Sequence, residues 1–323
     1  MKQGCRQEHR LSFLTRILAG VVLSAFALFA SAEHPSVYLL LSGEQSYYQQ
    51  VSEVFEKALA EQPGAPRILA SGLDQSLQVA AGSTVVAIGS RASEFALQRF
   101  PNADILSLLM PVAAWDELRA RLPGSGRRAA VVIDQPLERA LSLGQLLVPS
   151  ARRVGAVFGP ISVGTRPQLL RAAQRRGMEL IYADMDSDDN PIGVLSPLVQ
   201  KTDLFIAVAD RAVFNKSVAK WLLYLSFRQK VSVIGFSQSY AKAGALGAVY
   251  SSPENIGRHG AELIMSLLAP EGGEPVAAEL WRTNYPKYYT LEINREVARA
   301  LNITVPEFEA LYRDFQSLLE SYR

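Results

Sequence analysis

Cysteine and histidine are nearly absent from this 323-residue chain, which contains one cysteine and three histidines. Cys5 lies within the first ten residues, so the rest of the chain has no disulfide, no thiol nucleophile and no cysteine for a lipid anchor. Beyond residue 32 only His34 and His259 remain, one near the amino terminus and one in a predicted helix. They give little material for a histidine-based triad or a metal cluster.

Sequence motifs of enzymes are also missing. The chain has no nucleophile-elbow pattern, no GxxxxGK[ST] phosphate loop and no GxGxxG fingerprint. The segment DMDSDDN, 184–190, spaces its acidic and amide side chains as calcium loops do, but it lacks the glycine at the sixth position, and Leu195 replaces the closing glutamate. We expect a solvated loop there, with weak calcium binding as the alternative. No metal, no cofactor and no catalysis are predicted, and an enzyme is the least favoured alternative.

Dense runs of lysine and arginine are missing from the chain after residue 32, so no nucleic-acid partner and no polybasic membrane surface are predicted. The first 32 residues differ, because Lys2, Arg6, Arg10 and Arg16 precede the uncharged run ILAGVVLSAFALFA, which closes in Ala-Ser-Ala. We interpret residues 1–32 as a secretory signal peptide, since the apolar run is shorter than the roughly 20 residues that span a bilayer. A retained amino-terminal anchor is the alternative.

Removal of residues 1–32 changes the charge balance of the chain. It takes four basic residues and one acidic residue from totals of 33 and 31, so the mature chain is nearly neutral. An exported chain without cysteine fits the periplasm of a Gram-negative bacterium.

From residue 36 onward, short apolar runs alternate with longer amphipathic stretches, a pattern typical of parallel strands covered by helices. The chain makes this pattern twice, and its length exceeds what one core usually covers, so two lobes are predicted. The first set of predicted strands is 36–42, 67–70, 84–89, 103–109 and 129–134, with helices at 47–61, 91–100 and 137–147. The second set is 153–159, 179–184, 203–209 and 232–236, with helices at 166–176, 192–200 and 212–228.

The carboxy-terminal part continues the pattern, with strands predicted at 245–252 and 288–294 and helices at 253–268, 295–302 and 306–322. The predicted fold class is α/β, with two doubly wound parallel-sheet lobes and a cleft between them. Lobe 1 comprises 33–148, joined by about 253–285, and lobe 2 comprises 149–252, joined by about 286–323. The lobes are expected to join near residues 149–151.

Ligands bind outside the carboxyl ends of parallel strands, because helix amino termini bring unpaired N–H donors there. The residues that follow the predicted strands are therefore the site candidates: Ser42, Ser46, Tyr47, Gly89, Ser90, Arg91, Phe158, Ser162, Asp210, Arg211, Phe214 and Ser237. Helix capping is the alternative for the short polar side chains. In FIAVADRAVF, 205–214, an apolar strand ends in an Asp-Arg pair, and Asp210 by itself is also readable as a helix cap.

The segment VSVIGFSQSYAKAGALGAVYSSPENIGRHGAELIMSLL, 231–268, resembles the ABC-transporter substrate-binding proteins. This family includes tryptophan-binding members and has the type I periplasmic binding protein fold. The similarity lies in the strand ending in VIG, the GAL step and the helix with Gly257, Gly260 and Ala261. Three further segments are similar to elements of the family: LEINREVARALNITVPEFEAL (291–311), VVAIGSRASEFAL (85–97) and PSARRVGAVFGP (149–160).

The resemblance implies a cleft that holds a small molecule, commonly an amino acid, with its carboxylate on helix amino termini and its ammonium on an aspartate. By position, Ser90 would serve the carboxylate and Asp210 the ammonium. The sequence departs from the family at Arg91 and Arg211, where the family has proline and asparagine. An anionic or dicarboxylic ligand therefore stays open, because arginine binds carboxylates bidentately.

We therefore predict a periplasmic protein that captures a small, amino-acid-like ligand between two lobes and presents it to an ABC permease. Tyr47, Phe158 and Phe214 would enclose the apolar part of the ligand. The alternative is a ligand-sensing module of the same fold that signals to a membrane sensor kinase. A monomer is expected in either case.

Overall fold

The computed structural model describes residues 36–73, 76–79, 83–268 and 279–322. The predicted signal peptide lies outside the described residues. The chain from Ser36 onward forms one compact unit that contains two six-stranded sheets. In the described part of the chain, no helix combines the length and the apolar character that crossing a membrane requires.

The first sheet is parallel throughout and has the strand order β11-β5-β4-β3-β1-β2. Its strands are β1 (Ser36–Leu41), β2 (Arg67–Ser71), β3 (Thr84–Ile88), β4 (Asp104–Met110), β5 (Arg128–Val132) and β11 (Thr283–Asn284). Four helices cover it: α1 (Ser46–Ala60), α2 (Ser90–Arg99), α3 (Val112–Arg121) and α9 (Pro253–Leu268).

The second sheet has the order β12-β10-β9-β8-β6-β7, with β12 antiparallel to the rest. Its strands are β6 (Arg153–Phe158), β7 (Glu179–Asp184), β8 (Leu204–Ile206), β9 (Ser232–Gly235), β10 (Gly247–Tyr250) and β12 (Thr290–Ile293). Its helices are α4 (Leu137–Leu147), α5 (Arg166–Arg175), α6 (Pro191–Val199), α7 (Lys216–Arg228), α8 (Gln238–Ala243), α10 (Arg295–Ala300) and α11 (Phe308–Ser321), with a 3₁₀ turn at Val163–Thr165.

Each sheet is buried on both faces, which explains why its strands are apolar runs without alternation. On the first sheet, α1 and α9 cover one face and α2 and α3 the other, the latter through the fully buried Trp115. On the second sheet, α4, α5, α10 and α11 cover one face, and α6, α7 and α8 cover the other.

The chain passes between the sheets three times. Helix α4 packs on the second sheet through Leu141, Leu143 and Leu147, so the first crossing lies at 133–136 and not at the expected 149–151. The second crossing is 251–252, because α9 returns to pack on α1. The third is 285–289, between β11 and β12.

The observed elements differ from the predicted ones in five places. The sequence pattern did not predict α3, α8 or the two-residue strand β11. Strand β8 is shorter than predicted and ends at Ile206. Helix α7 begins at Lys216 instead of 212, because the Asn215 side chain accepts the N–H groups of Ser217 and Val218 and so caps the helix there.

Candidate functional site

The three crossings bring the carboxyl-terminal edges of the two sheets towards each other. The first crossing leaves the carboxyl end of β5 and enters the amino terminus of α4, which runs back against the strands of the second sheet. The second crossing leaves the carboxyl end of β10. The third connects the carboxyl end of β11 to the start of β12, and this start of β12 pairs with the carboxyl end of β10. We call the space between these two edges the cleft.

Hydrogen bonds tie the three crossings together. Gln135 Nε2 donates to Ser251 Oγ at 2.8 Å, and Ser251 Oγ donates to the carbonyl of Tyr288 at 2.6 Å, so one chain of side-chain contacts links all three segments. Arg139 Nη1 donates to Gln135 Oε1 at 2.6 Å and to the carbonyl of Pro286 at 2.8 Å. Polar side chains therefore link all three segments that join the two lobes.

On the first-lobe side of the cleft, the turn between β3 and α2 is built around Gly89. Its φ of +89° lies in the region that favours glycine, and a Cβ there would lie 2.5 Å from both Ser42 Oγ and Tyr48 Cε1. The buried Ser42 Oγ accepts the N–H of Ala92 at 2.9 Å. The N–H of Ser93 donates to the carbonyl of Gly89. Ser42 and Gly89 thus position the amino terminus of α2 at the cleft.

The amino terminus of α2 presents free donors. Its N-cap residue is Gly89, which has no side chain to cap the first two N–H groups of the helix, and Ser90 and Arg91 are both exposed. Among the described residues, no acceptor binds the N–H of Ser90 or of Arg91, and no carboxylate pairs with the Arg91 guanidinium. These N–H groups, the helix dipole and the guanidinium make this edge favourable for an anion.

A cavity of about 560 Å³ opens beside this helix terminus. Its lining consists of Leu41, Ser42, Gly43, Glu44, Gln49, Gly72, Leu73 and Arg91. Ser46 and Tyr47 are exposed at the start of α1, and the Tyr47 ring lies 4.2 Å from that of Tyr48. The hydrogen bond with Tyr47 is the main cause that raises the pKa of Tyr48, and burial is the second.

Two residues at the cleft edge were missed in the sequence. Asp134 follows β5, and its Oδ2 accepts the N–H of Val112, the first residue of α3, at 2.7 Å. Burial raises the pKa of Asp134. Burial also raises the pKa of Tyr285, and the Asp134 charge adds to this shift. The signal for Asp134 was its place directly after an apolar strand, the criterion that identified Asp210.

On the second-lobe side, the Asp210 carboxylate accepts three backbone N–H groups. Oδ2 accepts those of Ile161 at 3.1 Å and Ser162 at 2.8 Å, and Oδ1 accepts that of Ala212 at 2.9 Å. Asp210 is 3% exposed. Its Oδ2 approaches the loop after β6 so closely that a Cβ on Gly159 would lie 2.6 Å away. Asp210 therefore joins two loops that follow neighbouring strands. Its carboxylate can accept about four hydrogen bonds, so about one acceptor position remains for a further donor.

The remaining second-lobe candidates fall into three groups. Ser162 is buried and its Oγ accepts the N–H of Gly159, while Ser237 caps α8 by accepting the N–H of Tyr240. Arg211 is exposed, and Phe214 is half-buried. Phe158 is completely buried in the core of the second sheet, so in this structure it packs against the core and does not face a ligand.

The described residues contain no cluster of three or more histidine, aspartate or glutamate side chains placed to hold a metal ion. A further cavity of about 440 Å³ lies at the opposite, amino-terminal edge of the second sheet, beside the ion pair of Arg153 and Asp203. That cavity is not part of the cleft. The first-lobe edge of the cleft thus presents the amino terminus of α2 and the Asp134 carboxylate, and the second-lobe edge presents the Asp210 carboxylate.

Comparison with known families gives a match over most of the chain. The family described as ABC transporter substrate binding protein matches residues 83–314. That range covers all but the amino-terminal quarter and the last residues. Among curated proteins no sequence matches this chain.

Solved structures share the fold. A conserved domain protein from Vibrio cholerae O1 biovar El Tor is 20% identical, with a TM-score of 0.53 and coverage of 87% of this chain and 98% of its own. The ABC domain from Streptococcus pneumoniae in complex with L-Trp is 17% identical, with a TM-score of 0.53 and coverage of 86% and 98%. The ligand-free, open CD0873 from Clostridium difficile, a substrate binding protein with adhesive properties, is 17% identical, with a TM-score of 0.61 and coverage of 85% and 97%. The predicted α/β fold of two doubly wound lobes is confirmed.

Proposed function

Because the chain belongs to the family of ABC transporter substrate-binding proteins, as its resemblance predicted, we propose that it captures a small, amino-acid-like ligand for an ABC importer. The ligand would lie between the carboxyl-terminal edges of the two sheets. The observation that carries this proposal is the set of three crossings, which oppose these edges and are tied by side-chain hydrogen bonds. Two lobes on such a hinge can close over a small molecule without covalent chemistry.

The anionic group of the ligand would bind at the amino terminus of α2. The free N–H groups of Ser90 and Arg91 and the Arg91 guanidinium are the donors, and Ser42 and Gly89 hold the helix terminus in place. Arginine favours a carboxylate because its planar fork matches two oxygens. The 560 Å³ cavity beside this terminus has room for a side chain of amino-acid size.

The ammonium group of the ligand would face a carboxylate. Asp210 has about one acceptor position left, on Oδ1, while its other three bind backbone N–H groups. Asp134 is the second carboxylate at the cleft edge and binds the N–H of Val112. Arg211, Phe214 and Tyr47 would form the rim, where the exposed Arg211 favours a ligand with a second negative charge.

Family membership supports an ABC permease as the partner, and the amino-terminal sequence supports a periplasmic location, while a monomer stays an expectation. These assignments are tested separately from the ligand class. The location of the processed chain in the cell tests the periplasmic assignment, and its mass in solution tests the monomeric state.

A thermal-shift screen of residues 33–323 tests the ligand class. Amino acids, dicarboxylates, nucleobases and short peptides are compared, and a ligand at about 100 times its Kd should stabilise the protein by roughly 2.7 kcal/mol. We expect hits among amino acids or dicarboxylates, and Arg91→Gln should weaken them at least tenfold, since it removes a charged pair with the ligand carboxylate. The matched control, Arg171→Gln on the exposed side of α5, should leave binding unchanged. Hits confined to nucleobases, or equal effects of the two variants, would contradict the proposed ligand and its site.

A further inference from the structure

Helix α7 carries a stripe of exposed aromatic side chains on the outside of the second lobe. Trp221, Tyr224 and Phe227 are 40%, 50% and 54% exposed, and their spacing of three residues puts them on one side of the helix. The rings of Trp221 and Tyr224 meet edge to face, with centroids 6.0 Å apart. The opposite side of the helix is anchored in the core through Val218 and Leu222. The stripe is therefore a fixed feature of the folded lobe.

The segment around this stripe is basic. Between Asp210 and Glu254 the sequence has six basic residues and no acidic one. The exposed basic residues on α7 and its neighbouring segments are Lys216, Lys220, Arg228, Lys230 and Lys242. In the described part of the chain, none of these five forms an ion pair with a carboxylate. Arg228 Nη1 instead donates to the Tyr224 hydroxyl at 3.1 Å, which extends the aromatic stripe with a cation. We call this combination the basic aromatic face.

The shape and size of the basic aromatic face distinguish between partners. It is the convex side of a helix, and none of its three rings lines either described cavity. Half-exposed aromatic side chains present roughly 100 Å² each, so the stripe offers roughly 300 Å². This is well below the roughly 800 Å² that each partner buries in a stable protein interface. Tryptophan and tyrosine flanked by lysine and arginine are the residues that bind at lipid headgroups.

We propose that the basic aromatic face binds the surface of an anionic phospholipid membrane. Helix α7 would lie along the surface, with the three rings at the level of the headgroups and the cations on the lipid phosphates. The linear sequence did not predict this surface because its lysines and arginines are not adjacent. Helical spacing brings Lys216, Lys220 and Arg228 to the side of α7 that carries the three rings. The proposal is independent of the ligand in the cleft.

Vesicle co-sedimentation with residues 33–323 tests the proposal. This chain contains the whole compact unit from Ser36 and lacks the apolar run 17–30, which would bind lipid by itself. Vesicles of pure phosphatidylglycerol are compared with vesicles of pure phosphatidylcholine, at low and at high salt. We expect binding to phosphatidylglycerol that weakens as salt is added, because salt screens charges at the surface.

Paired variants locate the binding surface. Lys220→Gln with Arg228→Gln should weaken binding by about fivefold per cation lost, whereas Arg171→Gln with Arg313→Gln, the same charge change on the opposite face of the sheet, should leave it unchanged. Phe227→Ser should weaken binding as well, and Phe308→Ser, at 49% exposure on α11, is its control.

Four results would overturn the proposal. The wild-type chain could fail to bind phosphatidylglycerol vesicles, or the control pair could lower binding as much as the α7 pair. Binding to vesicles that contain a permease, without binding to pure lipid, would assign the basic aromatic face to a protein partner. A dimer in solution that Phe227→Ser converts to a monomer would assign it to a second copy of the chain.

Discussion

The substitution Asp210→Ala removes the acceptor that joins the loops after β6 and β8. It leaves three backbone N–H groups without their partner, of which that of the buried Ser162 has the least access to water. An unsatisfied buried donor costs about 1–3 kcal/mol, and hydrogen bonds to a charged acceptor lie at the upper end. We expect the free energy of unfolding to fall by about 3 kcal/mol. The melting temperature of the ligand-free protein should fall by roughly 6–12 °C.

Urea unfolding and a thermal melt of the ligand-free protein measure this loss. Asp210→Asn keeps one acceptor oxygen and should lose about 1 kcal/mol less than Asp210→Ala. Asp188→Ala, at an exposed position in the loop before α6, is the matched control and should change stability by less than about 0.5 kcal/mol. An Asp210→Ala protein as stable as the wild type would refute this structural role of Asp210. If such a protein also lost its ligand, Asp210 would act on the ligand alone.

Three further perturbations follow from the structure. Gly89→Ala should destabilise the protein by about 2–4 kcal/mol, whereas Gly64→Ala, also at positive φ but facing open space, should cost only about 1–2 kcal/mol in urea unfolding. Burial lowers the pKa of His259 to about 4, so the unfolded chain binds more protons between about pH 6.5 and 4, and stability falls as the pH is lowered through this range. When urea unfolding is measured across this pH range, the free energy of unfolding of His259→Asn should fall by about 2 kcal/mol less than that of the wild type. Thr283→Val takes the acceptor from the buried Trp115 Nε1–H and should cost about 1–3 kcal/mol by thermal melt.

Each of these three predictions has a control or a contradicting result within the same protein. Equal costs at the two glycines would show that backbone strain alone, and not the contact with Ser42 and Tyr48, makes Gly89 necessary. An unchanged pH profile in His259→Asn would show that other groups produce the acid sensitivity. A serine at position 283 keeps the hydroxyl acceptor, so Thr283→Ser should retain most of the stability that Thr283→Val loses.

Most strands and helices were predictable because both faces of each sheet are covered, which makes the strands apolar and the helices amphipathic. The helix α3 was missed for a physical reason. It buries only Trp115 and Leu118, so its apolar periodicity is faint. The crossing point was misjudged because α4 begins only a few residues after β5, and its amphipathic pattern does not show which of the two sheets it packs on. Strand β11 has two residues and no pattern at all.

The candidate site was predictable in its location and less so in its roles. The rule that ligands bind where parallel strands end selected Ser42, Gly89 and Asp210, and the structure has all three in the turns that follow strands. The binding of the Asp210 carboxylate to backbone N–H groups 48 and 49 residues earlier in the chain is a long-range contact, and no local pattern encodes it. Burial of Phe158 likewise depends on Tyr182 and Arg166, which pack around its ring from other elements.

The return of the chain to the first lobe at α9 sets an order for synthesis and folding. Ile256, Ile264 and Leu267 complete the core that α1 begins with Val51 and Phe55, yet they follow the first five strands of the second sheet in the chain. A growing polypeptide that has reached residue 252 therefore holds five of the six strands of the second lobe, while its first lobe still exposes an apolar helix face to solvent. Export of the chain before folding would avoid this half-built intermediate, and a product truncated at 252 should aggregate through that face.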